Sequence, residues 1–90
     1  MIKNIKDFRE EVIEYIVGTL KKEFNKSVNP DSSGDDNFFS QKINLSEREM
    51  LYLFFLLEKQ YNLCFFEEEI NLPSFYTLKG LSDIIVNRQS

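Results

Sequence analysis

The sequence predicts a small all-α protein, and three observations lead to this prediction. The chain has 90 residues, which is enough for one hydrophobic core, so we expect a single domain over residues 1–90. Apolar residues recur at steps of three and four, the period of an amphipathic helix. Two capping residues, Ser46 and Thr77, each precede such a stretch. We therefore predict four helices and no strand.

The first predicted helix leads into a long loop. Its apolar stripe consists of Ile5, Phe8, Val12, Ile16, Leu20 and Phe24. Turn-forming residues dominate the segment 25–37, which we expect to be a mobile loop. Asp31, Ser33 and Asp35 alternate there as in a calcium loop, but the glycine is misplaced and Lys42 stands where a bidentate glutamate is needed. Calcium binding is therefore not predicted.

Apolar residues then return the chain to the core. Phe38, Phe39 and Ile43 are expected to tie the second half of the loop to it. A capping box at Ser46 and Glu49 predicts the start of the second helix, which runs to about Tyr61. The apolar run 50–57 is wider than one buried stripe, so some of its residues are either buried all round or exposed.

Two shorter helices complete the predicted fold. The acidic run Glu67–Glu69 suits the first turn of a short third helix, where the helix dipole favours carboxylates. Pro73 to Tyr76 ends that helix, and Thr77 caps a fourth helix with Leu78, Leu81, Ile84 and Ile85 as its apolar positions.

Composition excludes several classes of function. The chain has no histidine and a single cysteine, which removes His-based metal sites, catalytic triads and internal disulfides. Cys64 lies between Leu63 and Phe65 and is expected to be a buried, inert thiol. A net charge of −4 disfavours nucleic acid as a partner. The N-terminus lacks the apolar run of a signal peptide and no stretch could span a bilayer, so we expect a cytoplasmic protein with no membrane partner.

The order of predicted elements resembles the acyl carrier protein family. That family carries a loop phenylalanine, a hydrophobic residue four positions on, and an Asp-Ser-Leu motif whose serine receives 4'-phosphopantetheine. The residues that match the family pattern are Phe39, Ile43, Leu57-Glu58, Tyr61, Leu63 to Phe65, Glu67 to Glu69, and the final helix from Thr77-Leu78 to Ile85. The resemblance implies an acyl carrier protein-like four-helix bundle with a long first loop and a short third helix.

The sequence departs from the family at the attachment motif. Counting forward from Phe39 or backward from Tyr61, Asp-Ser-Leu falls on Ser46-Glu47-Arg48, so the acceptor serine is replaced by Glu47. A carboxylate cannot accept the phosphoester. Ser46 takes the place of the family's capping aspartate, and its capping box is sufficient reason for a serine there. If the loop register slips by one residue, Ser46 becomes the acceptor.

The second predicted helix differs from the family on two sides. Phe54 and Leu56 stand where the family has smaller side chains lining its acyl cavity, and their bulk would fill that cavity. The solvent face, acidic in carrier proteins, would instead carry Arg48, Tyr52, Phe55 and Lys59. We interpret these four residues as a partner-binding surface. The alternative is that the two aromatic residues are core positions of a rotated helix.

The resulting hypothesis is a non-enzymatic, acyl carrier-like protein without a cofactor that acts by binding a protein partner through the second helix. A homodimer through the same helix is the other partner class. The resemblance suggests a bacterial peptide or secondary-metabolite maturation system as the context. The alternative is a functional acyl or peptidyl carrier with 4'-phosphopantetheine on Ser46. A self-contained enzyme is disfavoured because no nucleophile–base pair or metal cluster can be assembled.

Overall fold

A computed structural model describes residues 5–89, with side chains from Phe8 onward, and this part of the chain is helical without a strand. The elements are α1 (Ile5–Phe24), α2 (Pro30–Ser33), α3 (Glu47–Tyr61), α4 (Glu67–Ile70), a 3-10 turn (Pro73–Tyr76) and α5 (Leu78–Gln89). The all-α prediction is confirmed for these residues. The predicted count of four helices is wrong, because α2 forms inside the segment predicted as a loop.

The core lies between α1, α3 and α5. The centres of the stripes predicted for α1 and α5 are buried, whereas Phe8, Phe24 and Ile84 are only half-buried and Val86 is buried without having been predicted. The residues that lose almost all solvent contact include Val12, Ile16 and Leu20 of α1, Met50, Leu53 and Leu57 of α3, and Leu78, Leu81 and Ile85 of α5. The side chain of Ile5, the first position of the predicted stripe, is outside the described residues. An ion pair between Arg9 and Asp83 links α1 to α5 at the surface.

The segment 25–37 forms a short helix and a hydrogen bond to α5, which the sequence did not predict. Asn29 caps α2 by accepting the N–H of Asp31 at 2.8 Å. Val28 is buried. The Gly34 carbonyl accepts the N–H of Lys79 at 3.0 Å, which ties the end of this segment to α5. The prediction of an irregular loop is therefore wrong at Pro30–Ser33, while its mobility stays a prediction.

The residues after this segment anchor it to the core as predicted, with one exception. Phe38 and Ile43 are buried. The backbone of Phe38 donates to the Tyr76 carbonyl at 2.7 Å and accepts from the Leu45 N–H at 2.8 Å. Phe39 instead keeps 41% of its surface exposed. It lies in a turn that the Ser40 N–H closes by donating to the Asn37 carbonyl at 2.9 Å.

Helix ends follow from local residue chemistry. Asn25 after α1 and Asn62 after α3 both take left-handed backbone angles, with φ of 57° and 54°. Asparagine tolerates this conformation better than other residues with a side chain, and it lets the chain leave the helix with its last carbonyls bonded. The Thr77 hydroxyl accepts the N–H of Gly80 at 3.0 Å, which confirms the predicted cap of α5.

Among the helices that are described, none combines the length and the apolar character needed to cross a membrane.

Candidate functional site

The N-terminus of α3 is closed by the predicted capping box. The Ser46 hydroxyl accepts the N–H of Glu49 at 3.1 Å, and the Glu49 carboxylate accepts the N–H of Ser46 at 2.9 Å. The backbone of Ser46 is extended, with φ −84° and ψ 163°, as an N-cap requires. The prediction of Ser46 as the N-cap is confirmed. Its side chain is also exposed, and Glu47 follows as the first residue of the helix.

The outer side of α3 carries the four residues predicted to bind a partner. At about 100° per residue, Arg48, Tyr52, Phe55 and Lys59 fall within an arc of about 60°. All four are exposed, and Tyr52 and Phe55 keep 44% and 56% of their surface open to solvent. The predicted exposure of both rings is therefore confirmed, and the alternative of a rotated helix is wrong. Partner binding by these residues stays a prediction.

The prediction missed Leu51, which is 64% exposed and lies one turn before Phe55 on the same side. The spacing of four residues was a signal in the sequence, but the apolar run hid it because a leucine is usually expected to be buried. With Leu51 included, the exposed surface spans an arc of about 100° over three turns. We call this set, Arg48, Leu51, Tyr52, Phe55 and Lys59, the α3 face.

The two rings of the α3 face differ in how they are held. Tyr52 packs edge-on against Phe24 of α1, with ring centroids 5.9 Å apart. The ring of Phe55 has only the Lys59 ammonium near it, 5.7 Å from its centroid, among the ring and cation contacts of the described residues. Tyr52 is therefore partly fixed by α1, whereas Phe55 projects more freely from the helix.

A shallow cleft lies at each end of the α3 face. The N-terminal cleft, of about 340 Å³, is lined by Phe39, Glu47, Met50, Leu51, Phe54 and Tyr76. The C-terminal cleft, of about 620 Å³, is lined by Phe55, Glu58, Lys59, Asn62, Leu63, Cys64 and Arg88. The exposed apolar side chains therefore form a ridge that runs from one cleft to the other.

The flank of α3 beside Leu51 packs against aromatic rings. Phe54 packs against Phe75 with centroids 4.8 Å apart and against Phe65 at 6.0 Å. Phe75 has no exposed surface. Leu56 is half-buried and faces Gly18 and its neighbours on α1. Phe54 thus takes up space between α3 and the 3-10 turn, as its bulk predicts.

The charged groups around the α3 face are unevenly paired. Glu58 uses its carboxylate to accept the N–H of Phe65 at 2.9 Å. Arg88 donates to Glu69 at 2.9 Å, and its guanidinium lies 4.0 Å from the centroid of the Phe66 ring. Among residues 8–89, no carboxylate forms an ion pair with Arg48 or Lys59.

The prediction of a buried Cys64 is wrong, because its thiol is exposed in the C-terminal cleft. The left-handed turn at Asn62 carries the chain away from α3, so apolar sequence neighbours on both sides do not bury this residue. Leu63 is half-buried and Phe65 is buried, so alternate residues of the extended connection face inward.

Tyr61 lies apart from the α3 face, in an aromatic group with α1. Its ring meets Phe8 at 6.1 Å and Tyr15 at 5.8 Å, both edge-on. Burial raises the pKa of Tyr61 to about 12, and the neighbouring Tyr15 and Glu11 add to the shift. The phenol therefore stays neutral at physiological pH, and its role here is packing.

Within the described part of the chain, no three acidic or cysteine side chains are placed so that together they could hold a metal ion. No protein-family model matches the sequence, and neither a curated protein nor a solved structure matches it.

Proposed function

We propose that this protein is a non-enzymatic interaction module that binds a protein partner through the α3 face. The observation that carries the proposal is the exposure of Leu51, Tyr52 and Phe55 side by side on one helix. Three large apolar side chains together lose free energy when they leave water, and clusters of this kind mark interaction surfaces on small proteins. Aromatic residues and arginine are also the residue types enriched in such interfaces.

The resemblance to acyl carrier proteins supports α3 as the helix that binds the partner. The long α1, the long connection that contains α2, the capped α3, the short α4 and the capped α5 support this comparison, and the additional α2 and 3-10 turn were not among the elements it implied. On this comparison α3 corresponds to the helix through which carrier proteins dock onto their enzymes. A role in a bacterial peptide or secondary-metabolite maturation system is the context that this resemblance suggests.

The residues at the start of α3 do not fit a 4'-phosphopantetheine group. The family's acceptor position is occupied by Glu47, whose carboxylate cannot form the phosphoester. The neighbouring Ser46 hydroxyl is engaged as a helix cap by the N–H of Glu49. The packing of Phe54 against Phe65 and Phe75 also leaves less room for an acyl chain beside α3. We therefore derive no carrier chemistry for this chain.

The carrier alternative is tested by intact-mass spectrometry. The protein is incubated with coenzyme A and a broad-specificity phosphopantetheinyl transferase, beside a carrier protein with an intact Asp-Ser-Leu motif as positive control. We expect the mass of this chain to stay unchanged. Because Ser46 is exposed, modification is sterically open, so a mass gain of one phosphopantetheine arm located on Ser46 would replace our proposal with the carrier function.

The interaction proposal is tested by site-specific photo-crosslinking. A benzoyl-phenylalanine residue placed at Phe55 should crosslink to a discrete protein partner in extracts of the source cells, and Leu51→Ser with Tyr52→Ser should reduce the yield. The same crosslinker at Lys22, an exposed position on α1, is the control. Equal yields at both positions, or no crosslink at Phe55, would contradict a role of the α3 face in binding.

A further inference from the structure

The two cations of the α3 face, at its two ends, indicate the charge of the partner. Arg48 and Lys59 are exposed and stand about 16 Å apart along the helix, one at each end of the apolar ridge. Among residues 8–89, Arg9, Lys42, Lys79 and Arg88 each have a carboxylate within ion-pair distance, whereas Arg48 and Lys59, like Lys21, Lys22 and Lys26 at or just after the end of α1, do not. The part of the chain that the structure describes supplies no such counter-charge to Arg48 or Lys59.

The nearest acidic groups lie beside the ridge rather than on it. At about 100° per residue, Glu47 and Glu58 project about 80° to 100° away from Arg48, on the same flank of α3. The Glu58 carboxylate already accepts the Phe65 N–H. Glu49 projects about 100° away on the other flank, and its carboxylate accepts the Ser46 N–H. The apolar ridge therefore has a cation at each end, and two of the three carboxylates beside it already accept backbone hydrogen bonds.

This arrangement disfavours a second copy of the chain as the occupant. In a two-fold antiparallel pair of α3 helices centred on the ridge, residues on the same side of each helix meet, so Arg48 faces Lys59 of the other copy. A parallel two-fold pair places each of these cations opposite itself. Like charges face each other in both arrangements, and such contacts act against an association.

We propose that the α3 face binds an amphipathic helix of a different protein, whose apolar stripe is flanked by Asp or Glu side chains. This inference rests on the proposed function and adds the chemistry of the partner. The ridge of Leu51, Tyr52 and Phe55 fits into an apolar stripe, and the clefts at its two ends receive side chains from that stripe. Carboxylates beside the stripe then meet Arg48 and Lys59.

The net charge of −4 does not prevent this contact. At physiological ionic strength, charges farther apart than about 8 Å are largely screened, so acidic residues on the other sides of the molecule act weakly at the face. Of the carboxylates close to the two cations, those of Glu49 and Glu58 already accept backbone N–H groups. The attraction is local, and it weakens as salt rises.

The test uses two synthetic helical peptides of about 18 residues with the same Leu and Phe stripe. One peptide has glutamates beside the stripe and the other has lysines, and each carries a fluorophore for anisotropy titration of the full chain. We expect the Glu peptide to bind at least about tenfold more tightly than the Lys peptide at low salt. The double variant Arg48→Glu with Lys59→Glu should reverse that preference.

Two further variants make the test specific. Lys22→Glu with Lys26→Glu makes the same change in net charge on and after α1, and it should keep the preference for the Glu peptide. Tyr52→Ser with Phe55→Ser should weaken binding of the Glu peptide by at least about tenfold. Circular dichroism of each variant checks that the helical fold is retained.

The possible results separate this inference from the proposed function. Equal affinity for both peptides, or no saturable binding of the Glu peptide, overturns the acidic-helix inference. A homodimer found by sedimentation and crosslinked through Phe55 overturns it as well, but leaves an interaction role for the α3 face. Failure of the Phe55 crosslink to yield any partner instead removes the proposed function itself.

Discussion

Replacing Ser46 by alanine tests the capping box at the start of α3 and, with it, our interpretation of this serine. The Ser46 hydroxyl accepts a single N–H, that of Glu49, at 3.1 Å. Alanine removes that acceptor and leaves one more unpaired donor in the first turn of the helix. Because the site is exposed, water replaces part of the lost hydrogen bond, and we expect a loss of about 1 kcal/mol in the free energy of unfolding.

A loss of this size is measurable in a domain of 90 residues. It corresponds to a fall of about 5 °C in Tm, given the typical entropy of unfolding per residue. Glu49→Ala removes the other half of the box, the acceptor for the Ser46 N–H at 2.9 Å, and should cost less because the serine cap remains. Urea unfolding followed by circular dichroism, with the slope compared between variants, gives both values.

The control is Ser46→Asp, which keeps an acceptor at the N-cap but removes the hydroxyl. Asp and Ser are about equally good N-caps, so this variant should unfold at nearly the wild-type urea concentration. If Ser46→Ala is as stable as the wild type, or if Ser46→Asp loses as much stability as Ser46→Ala, the serine does not act as a cap. The explanation for a serine at this position would then have to come from another function.

Two further predictions concern packing. A Cβ on Gly80 would collide with the Ser74 carbonyl oxygen, whereas a Cβ on the exposed Gly18 meets nothing within 4 Å. Gly80→Ala should therefore destabilise the fold by about 3 kcal/mol, and Gly18→Ala should stabilise it by about 1 kcal/mol. Urea midpoints that move in the same direction would refute this. The pKa of Tyr61 is raised to about 12, so the stability from its neutral form is fully present below pH 10 and is lost as pH rises toward 12. Tyr61→Phe should therefore lose less stability than the wild type between pH 10 and 12, and parallel pH profiles would contradict the assignment.

Much of the fold follows from residues that are close together in the sequence. The Ser46 and Thr77 caps each depend on a side chain and a backbone N–H three residues apart, and both form as predicted. The stripe of α1 depends only on helical spacing, and its central residues are fully buried. The exposure of Tyr52 and Phe55 agrees with their helical spacing from Leu53 and Leu57, which are fully buried.

Other features depend on contacts between distant parts of the chain. The exposure of Leu51 is set by which part of α3 the 3-10 turn and α1 cover, although Leu51 and the buried Met50 are neighbours in the same apolar run. The segment containing α2 is held by a hydrogen bond between Gly34 and Lys79, 45 positions apart. The exposure of Cys64 depends on the direction in which the chain leaves α3.

The sequence alone determined where α3 and α5 begin and which faces could be apolar, because caps and helical periodicity act within a few residues. Only the tertiary structure decided which apolar side chains remain in water, because burial depends on the surfaces that other elements bring to each residue. The apolar run of α3 supplies residues both to the core and to the exposed ridge. The packing of α1, α5 and the 3-10 turn against one side of α3 separated the two.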